Sequence, residues 1–238
     1  MQNKVILVHI PKTAGSSLRS ALAFALGNLP KLDAGIIGVD RGVEGLPYFE
    51  GLAEAARASL PRLFADGLQI MSGHFRYRDI VPVLAGRQSE VSLVTFLRDP
   101  VKRTVSDYLY SCSEKHPGHL AFQAEYPTLG DYVKSPGQMN KQFDYLRPRE
   151  GASVEETAEA ALKAFDFIGM TERFDDDLKT LLPQLSLGPV PPTRENVAGN
   201  TAQSQQVMTQ YGELLREALA PEMAMYSAIS ERLEQTRT

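Results

Sequence analysis

Residues 5–22, VILVHIPKTAGSSLRSAL, constrain the fold of this chain more than any other stretch. The segment Val5–Ile10 is rich in β-branched residues and is stopped by Pro11, which is typical of a buried strand. A helix is predicted to follow from Ser16 to about Gly27. The stretch therefore predicts a strand, a turn rich in small residues and a helix in direct succession.

Three further segments are typical of strands, and helical patterns separate them. The strand segments are Leu68–His74, Val91–Pro100 and Phe165–Met170. Helices are predicted over about residues 51–64, 79–84, 101–112, 153–164, 174–185, 207–219 and 225–233. Because strands that alternate with helices form a parallel sheet, we predict an α/β fold. The sheet should be P-loop-like, parallel and flanked by helices, with a helical C-terminal part, in one domain over residues 1–238.

Two segments, residues 29–66 and 114–150, give weaker signals. Residues 29–47 show no clear period, so we expect an irregular excursion there. Residues 113–150 carry scattered aromatics, prolines and glycines, which predicts an insertion with only short helices. Segments of this kind often shape a substrate site.

Charge and cysteine content argue against several classes of protein. Lys and Arg number 25 against 29 Asp and Glu, and this balance argues against binding nucleic acid or anionic membranes through bulk charge. Cys112 is the single cysteine, so no internal disulfide can form, and its helical spacing from Val105 and Tyr108 predicts a packed thiol. No apolar run reaches the ~18–20 residues needed to cross a bilayer, and none resembles a signal peptide, so a cytoplasmic location is expected.

The turn after the first strand is predicted to bind an anion. Backbone N–H groups at the positive end of the helix and the hydroxyls of Thr13, Ser16 and Ser17 surround one point there. Lys12 adds a mobile positive charge, which a transferring phosphoryl-like or sulfuryl group requires as charge builds on the leaving oxygen. The alternative is an ordinary turn with a serine cap, but Pro-Lys-Thr together with Gly-Ser-Ser exceeds what capping requires.

The turn differs from the phosphate loop of kinases and NTPases. That loop has the pattern G-x-x-x-x-G-K-[ST], in which the residue after the lysine holds Mg²⁺. Here Lys12 precedes Gly15. No predicted strand ends in the lone aspartate of a metal-binding second motif, because the third strand closes on Arg98-Asp99-Pro100. The sequence therefore has residues that can bind a phosphate group, but it lacks those that bind Mg²⁺ in kinases and NTPases.

Four stretches resemble the sulfotransferases that use 3′-phosphoadenosine 5′-phosphosulfate (PAPS). They are HIPKTAGSSL, SGHF, VTFLRDPVKRTVSDYLY and, more weakly, FIGMTERFDDDLKTL, within about residues 5–182. The resemblance is to the branch that includes the heparan-sulfate and uronyl O-sulfotransferases and many bacterial relatives. It implies that the first stretch is the 5′-phosphosulfate loop and that the third carries the 3′-phosphate motif.

A set of donor-binding residues follows from these stretches. Arg98 would grip the 3′-phosphate by charge-assisted hydrogen bonds and Ser106 by its hydroxyl. The alternatives are that Arg98 pairs with Asp99 or a surface carboxylate, and that Ser106 is a helix-surface residue. In the glycan sulfotransferases that this sequence resembles, a late loop closes over the nucleotide, and here that loop is residues 188–201. The predicted set is Lys12, Thr13, Ala14, Gly15, Ser16, Ser17, Leu18, Arg98, Ser106, Arg194, Asn196, Asn200 and Thr201.

His74 is the predicted general base. An alcohol attacks poorly until its proton is leaving, and His74 stands at a strand end, where ligands of open α/β sheets gather. The resemblance also places a catalytic histidine at this strand end. Some family members have a second histidine nearby, where this chain has Phe75 and Arg76.

Other histidines and arginines are assigned more ordinary roles. His9, within the first predicted strand, is expected to be a hydrogen-bonded core residue. His116 and His119 lack the accompanying ligands of a metal site. Arg76 and Arg78 either face an anionic acceptor or form a solvated basic turn.

The sequence thus predicts a PAPS-dependent sulfotransferase that moves the sulfuryl group in line to a hydroxyl of an acceptor. Lys12 would stabilise the departing 5′-phosphate and His74 would take the proton. No metal is expected, because Lys12 and backbone donors supply the charge stabilisation that Mg²⁺ gives a kinase. Two other classes stay open, a Mg²⁺-dependent nucleotide kinase and a non-catalytic nucleotide-binding protein.

The acceptor is predicted only by class. A carbohydrate is the first expectation, with a lipid or a small metabolite as alternatives, and residues 29–66 and 114–150 would shape its site. Aromatic residues in these segments would stack on sugar rings or, more simply, be buried: Tyr48, Phe49, Phe122, Tyr126, Tyr132, Phe143 and Tyr145. The sequence predicts no nucleic-acid partner and no particular oligomeric state.

Overall fold

A computed structural model describes residues 4–27, 36–39, 43–65, 70–191 and 201–236 of the chain. Within these ranges the chain forms a sheet of five parallel strands in the order β2-β3-β1-β4-β5. The strands are β1 (Lys4–Val8), β2 (Ile36–Val39), β3 (Ile70–Gly73), β4 (Val91–Leu97) and β5 (Phe167–Met170). The predicted parallel sheet is confirmed.

Eleven α-helices accompany the sheet in the described ranges. They are α1 (Gly15–Ala25), α2 (Tyr48–Leu63), α3 (Tyr77–Val83), α4 (Pro100–Ser111), α5 (His119–Glu125), α6 (Leu129–Val133), α7 (Lys141–Leu146), α8 (Val154–Ala164), α9 (Phe174–Gln184), α10 (Thr201–Ala218) and α11 (Ala220–Gln235). The helices α10 and α11 confirm the helical C-terminal part. None of the helices in these ranges combines the length and the hydropathy needed to span a membrane.

Alternating residues of β1 divide the core into two layers, one on each face of the sheet. Val5 and Leu7 belong to a cluster that includes residues of α1 and α9. Ile6 and Val8 belong to another that includes residues of α2, α3, α8 and α11. A strand presents successive side chains to opposite faces, and both faces of β1 are covered. The expected helices on both faces are therefore confirmed.

The position of β1 in the sheet decides where a ligand can bind. β1 lies between β3 and β4 and pairs with both in parallel. The chain leaves β1 toward β2 and β3 and later crosses to β4, so the strand order reverses beside β1. Ligands of open α/β sheets bind at such a reversal, beyond the carboxyl ends of the strands. Residues 9–14, His74 and Arg98 follow the three ends that meet there.

The strand β2 corrects the expectation for residues 29–47. The sequence IIGV pairs with β3 from Ile36 to Val39, so this part of the segment is regular. A strand of four residues offers too few positions for an alternation to be recognised, and Gly38 weakens the strand pattern further. Residues 29–35 and 40–42 of the same segment lie outside the described residues.

The segment 113–150 has the short helices that were expected, and part of it belongs to the core. Tyr132 and Tyr145 are only 1% and 5% exposed, so burial is confirmed as the explanation for these two aromatic residues. Tyr48, from the other weakly patterned segment, is 54% exposed. The structure therefore separates the aromatic side chains that build the core from one that faces solvent.

The helix α4 packs with the inward face that its sequence predicts. Val105 is buried beside Tyr132 of α6 and Leu215 of α10, and Tyr108 packs against the same cluster. Cys112 follows this helix and is half-buried, and burial raises the pKa of its thiol. A raised pKa disfavours the thiolate, so the role of a packed thiol fits this residue better than that of a nucleophile.

A buried ionic network joins α4, α6, α7 and α11. Nη1 of Arg103, whose side chain is fully buried, lies 3.2 Å from the Asp107 carboxylate, and its Nε lies 3.5 Å from the Glu222 carboxylate. Asp107 also accepts hydrogen bonds from the Tyr132 hydroxyl at 2.9 Å and from the Lys141 ammonium at 2.7 Å. Burial raises the pKa of Asp107, but Arg103 and Lys141 outweigh it and bring this pKa down to about 2. The carboxylate is therefore charged and paired in the folded protein.

Asp107→Asn should remove a stabilisation that depends on pH. A carboxyl group whose pKa falls from 3.8 to about 2 on folding stabilises the folded state above its unfolded pKa. That stabilisation disappears as the pH falls from about 4 to about 2. The difference in unfolding free energy between wild type and variant should therefore be about 2 kcal/mol larger near neutral pH than near pH 2.

Urea unfolding across this pH range measures the difference. The control is Glu159→Gln, which neutralises an exposed carboxylate on α8 and should give a difference near zero at every pH. A wild-type advantage over Asp107→Asn that stays constant with pH would contradict the prediction.

Candidate active site

The turn after β1 holds two residues in the left-handed backbone region. Lys12 has a φ of 70° and Ala14 a φ of 63°. The Thr13 hydroxyl between them donates a hydrogen bond to the Ile10 carbonyl at 2.9 Å. Non-glycine residues rarely adopt a positive φ, and such strain concentrates at functional sites. The backbone of this turn is therefore held in a specific, costly shape.

Among the described residues no side chain caps the amino end of α1. Its N-cap residue is Ala14, and no acidic residue lies in the first turn. Four N–H groups at the start of a helix take no part in its i to i−4 ladder, and here three of them belong to residues 15–17. Together with the helix dipole they favour an anion. The alternative of an ordinary turn capped by serine does not describe this helix.

The predicted donor-binding residues of this turn differ in their surroundings. Thr13 and Ser17 are 2% and 6% exposed, whereas Ser16 is exposed to solvent. The Leu18 N–H donates to the Ala14 carbonyl at 3.0 Å, and the Leu18 side chain lies in the core. Leu18 therefore lies one position beyond the N–H groups suited to an anion.

Gly15 allows the His9 ring to lie directly against the start of α1. A Cβ atom at residue 15 would come within 1.6 Å of His9 Nε2. No side chain larger than hydrogen fits there without moving the ring, so glycine is required by packing. The sequence motif around Gly15 thus fixes the position of a histidine as well as the shape of the turn.

His9 and His74 form a stacked pair at the carboxyl edge of the sheet. Their ring centroids lie 4.3 Å apart with an interplanar angle of 31°. The His74 Nδ1 lies 2.7 Å from the His9 carbonyl oxygen. Because a carbonyl can only accept, Nδ1 of His74 carries the proton and Nε2 carries the lone pair in the neutral ring. His74 is therefore held in the tautomer that a base acting through Nε2 requires.

The expectation for His9 as a hydrogen-bonded core residue is confirmed for the burial of its ring and wrong for the ring's hydrogen bonding. The residue follows β1 instead of lying within it, and its buried Nδ1 has no hydrogen-bond partner in the described part of the chain. Burial lowers the pKa of His9 well below its usual value, and the positive charges of His74, Arg19 and Lys12 lower it further. His9 is thus a neutral ring that supports its neighbour. The sequence pattern extended the strand past His9, whereas β1 ends at Val8.

Lys12 reaches from the turn to the exposed side of α4. Its Nζ lies 3.8 Å from the centroid of the Tyr110 ring, a cation–π contact. Burial lowers the pKa of Lys12, Asp107 opposes that shift, and Arg98 adds to it. In the described residues no carboxylate lies within ion-pair distance of Lys12. The lysine is a cation that an incoming anion can attract.

Arg98 links the end of β4 to the same turn. Its Nη1 donates to the Lys12 carbonyl at 3.2 Å, and its own backbone N–H and carbonyl are both bonded to the Gln142 side chain at 2.8 Å. Asp99 is occupied elsewhere, since its carboxylate caps α4 by accepting from the Lys102 N–H. Within the described ranges Arg98 forms no ion pair, so the alternative of a pair with Asp99 is wrong.

The remaining predicted donor-binding residues are only partly described. Ser106 is half-buried on α4, one turn before Tyr110, and in the described part of the chain its hydroxyl has no hydrogen bond. Thr201 is the first residue of α10. Arg194, Asn196 and Asn200 lie outside the described residues. A role for these five residues in nucleotide binding stays a prediction.

Arg76 and Arg78 are engaged in ion pairs near the predicted base. Arg76 lies 2.5 Å from Asp79 and stacks on the Phe49 ring at 4.0 Å. Arg78 is 3.0 Å from Asp144 and 2.8 Å from Glu150. These carboxylates balance the charges of both arginines. The two residues therefore form neither a solvated basic turn nor a free site for an anionic acceptor.

His116 and His119 make local contacts only. Nδ1 of His119 lies 3.0 Å from the His116 carbonyl oxygen, and the His116 ring packs against Tyr110 and Phe122. In the residues that the structure describes, no three His, Cys, Asp or Glu side chains converge as metal ligands would.

Three residues of the site were not predicted from the sequence. Tyr110 follows Ser106 by one helical turn, and that spacing was available as a signal. Gln142 lies in the weakly patterned segment 114–150, and Glu222 lies in the last helix. No local pattern connects these two to Arg98, because the contacts join residues 44 and 80 positions apart.

Comparisons with known proteins concern the family and the fold of the chain. The sequence model of the sulfotransferase family matches residues 1–220. The crystal structure of a sulfotransferase from Alicyclobacillus acidocaldarius superposes with a TM-score of 0.52 at 15% identity, over 94% of this chain and 96% of that chain. This likeness concerns the fold.

Mouse sulfotransferase SULT7A1, in a crystal structure complexed with PAP, superposes with a TM-score of 0.44 at 18% identity. The alignment covers 94% of this chain and 66% of the mouse chain, so the chain spans about two-thirds of the mouse protein's length. A search of curated proteins gave no significant match.

Gly15→Ala should destabilise the protein although alanine favours a helix. The added Cβ must displace the His9 ring, which is confined between α1 and His74. Overpacking of this kind costs about 1–3 kcal/mol, more than the gain of up to about 1 kcal/mol in helix propensity. Urea unfolding measures the loss. Gly137→Ala is the matched control, since a Cβ there meets nothing within 4 Å, and equal stability of the two variants would contradict the prediction.

Proposed function

The chain belongs to the sulfotransferase family, and we propose that it transfers the sulfuryl group of PAPS to a hydroxyl group of a carbohydrate. The observation that carries the proposal is the convergence of an uncapped helix end, Lys12 and Arg98 at the reversal point of the sheet. Two cations and the dipole of a helix that has no carboxylate in its first turn fit a donor that carries several negative charges.

Two ends of the donor are assigned to two parts of this site. The N–H groups of residues 15–17 and the hydroxyl of Ser16 bind the 5′-phosphosulfate, whereas the Thr13 hydroxyl is already donated to the Ile10 carbonyl and shapes the turn. Arg98 binds the 3′-phosphate, as the resemblance of its motif implies, and its guanidinium supports this role because it keeps further N–H donors and forms no ion pair within the described residues. Ser106 adds its hydroxyl to the same phosphate. The resemblance adds Arg194, Asn196, Asn200 and Thr201 to the nucleotide-binding set, the first three of which lie outside the described residues.

Transfer proceeds in one in-line step. The acceptor oxygen forms a bond to sulfur while the bond from sulfur to the 5′-phosphate oxygen breaks, and adenosine 3′,5′-bisphosphate (PAP) leaves. Lys12 stabilises the negative charge that appears on that phosphate oxygen. His74 takes the acceptor proton on Nε2, the nitrogen that carries its lone pair. Neutral His9, stacked on His74, adds no competing positive charge beside the protonated base.

A carbohydrate acceptor is the part of the proposal that rests most on the family branch. Exposed Tyr48 lies at the start of α2, beside Phe49, whose ring stacks with Arg76. An aromatic side chain of this kind can stack on a sugar ring. Because Arg76 and Arg78 are already paired with carboxylates, a neutral sugar fits this surface better than a strongly anionic one. The cytoplasmic location expected from the sequence stays a prediction.

The nucleotide preference of the protein distinguishes the proposal from its alternatives. Isothermal titration calorimetry with PAP and with ADP plus Mg²⁺ should show tighter binding of PAP, because Arg98 and Ser106 meet the 3′-phosphate that ADP lacks. Lys12→Ala should reduce transfer of labelled sulfate from PAPS to host-cell extract fractions by at least about 100-fold, through the loss of charge stabilisation at the leaving group.

Lys163→Ala is the matched control, since this lysine is exposed on α8. Preference for ADP with Mg²⁺ would replace the proposal by the kinase alternative. Tight PAP binding without transfer to any fraction would favour the non-catalytic alternative. Chemical identification of the labelled product decides between carbohydrate, lipid and small metabolite.

His74→Ala should separate catalysis from binding. Loss of a general base lowers turnover by about 10²–10⁴-fold, while the affinity for PAP, measured by calorimetry, should stay within about twofold because PAP has no acceptor proton to transfer. His119→Ala is the control, since this ring also lies at hydrogen-bond distance from a backbone carbonyl, 3.0 Å away. If His74→Ala lost PAP binding as well, the histidine would be structural.

A further inference from the structure

We propose that Gln142 is a positioning residue for Arg98, and that through it the last helix, α11, sets how well the protein recognises a 3′-phosphate. The inference rests on the proposed function, because that function assigns Arg98 to the 3′-phosphate. It adds a residue from the segment 114–150, which by sequence carries no donor-binding motif.

The Gln142 side chain clamps the backbone of Arg98 from both sides. Its Oε1 accepts from the Arg98 N–H at 2.8 Å, and its Nε2 donates to the Arg98 carbonyl at 2.8 Å. These two bonds resemble one rung of a parallel ladder made by a side chain. They occur just where β4 has ended and its main chain has lost its strand partners.

The other end of the clamp is a buried carboxylate. Nε2 of Gln142 donates a second hydrogen bond to Glu222 Oε1 at 2.7 Å, and the Gln142 backbone N–H donates to Glu222 Oε2 at 3.0 Å. Both residues are 0% exposed. An amide nitrogen has two protons to donate, and both are used. The amide can therefore take only one orientation.

Glu222 is itself held at two points, its carboxylate and its backbone N–H group. Arg103 Nε lies 3.5 Å from Glu222 Oε1, and the Glu222 backbone N–H donates to Asn140 Oδ1 at 3.2 Å. Asn140 in turn donates from Nδ2 to the Ala218 carbonyl at 3.0 Å, at the end of α10. The position of Gln142 is thus fixed by two helices that follow the late loop in sequence.

By fixing the Arg98 backbone, Gln142 also fixes the point from which the guanidinium extends toward a ligand. The Arg98 side chain leaves a backbone that Gln142 holds on both polar groups, and it crosses to the Lys12 carbonyl at 3.2 Å. A guanidinium on a long side chain loses conformational freedom when it binds phosphate, and a fixed backbone reduces that loss. Without Gln142 the strand end is released, and the guanidinium is no longer presented at one place.

The test compares two nucleotides that differ only in the 3′-phosphate. Gln142→Met keeps the approximate volume and removes the three side-chain hydrogen bonds. By calorimetry, the affinity for PAP should fall about tenfold or more, as for the loss of a well-placed charge-assisted contact. The affinity for adenosine 5′-monophosphate should stay within about twofold. A merely structural weakening would lower both affinities together.

A double-mutant cycle tests whether Gln142 acts through Arg98. Arg98→Met should lower the preference for PAP over adenosine 5′-monophosphate at least as much as Gln142→Met. The double variant should lose no more than Arg98→Met alone, because the effects of residues that act in series do not add. Additive losses would overturn the inference.

Two controls keep the result interpretable. Thr157→Val removes a buried hydroxyl that donates to the Ser153 carbonyl at 2.7 Å on α8, and it should lower stability without changing the nucleotide preference. Gln142→Leu also removes the three side-chain hydrogen bonds and places no second carboxyl group beside Glu222, so it should lower the preference in the same direction if Gln142→Met does not fold.

Failure of the inference differs from failure of the proposed function. A wild-type protein that does not prefer PAP over adenosine 5′-monophosphate would refute the proposed function. A wild-type protein that does, together with folded Gln142 variants that keep the full preference, would refute the positioning role alone.

Discussion

The central position of β1 is the constraint on which the rest of the site depends. Because β1 pairs with β3 on one side and β4 on the other, the turn that follows it is flanked by the residues that follow both neighbours. His74 donates to the His9 carbonyl at 2.7 Å, and Arg98 donates to the Lys12 carbonyl at 3.2 Å. The Ile10 carbonyl is taken by the hydroxyl of Thr13. The carbonyls of His9, Ile10 and Lys12 are thus paired inside the protein, and the start of α1 favours an anion through the helix dipole.

The buried charges beside this turn give the C-terminal helices a part in the site. Arg103, Asp107 and Glu222 are expensive to bury, and replacing such a group by apolar residues is often neutral or stabilising. The network is thus weak support for stability alone. Its geometry fits a different role, since it fixes Gln142 against the end of β4 and holds Lys141 at 2.7 Å from Asp107. Directional bonds specify one arrangement of helices around the sheet, which dispersion forces between apolar side chains do much less well.

The sequence predicted the parts of the structure that depend on local patterns. The strand β1, the turn and α1 occupy adjacent positions, so the order of apolar, small and polar residues in Val5–Leu22 was enough to identify them. The strand β2 was missed because four residues with an internal glycine carry no readable period. The assignment of His9 to the strand interior was wrong by one position, and the required contact with Gly15 decides its role. Gln142 and Glu222 could not be found at all, because Gln142 contacts Arg98 across 44 positions and Glu222 contacts Gln142 across 80.

Lys12 and Arg98, the two cations of the site, affect both the binding of an anion and the stability of the folded protein. Burial lowers the pKa of both Lys12 and Arg98, and neither has a carboxylate at ion-pair distance within the described residues. The lysine is held instead by the face of Tyr110, a weaker interaction than an ion pair in a desolvated site. Two partly buried positive charges that repel each other destabilise the free protein, and a polyanion bound between them removes that repulsion. The two positive charges are therefore less costly when an anion lies between them, which supports the proposed role of this turn in binding PAPS.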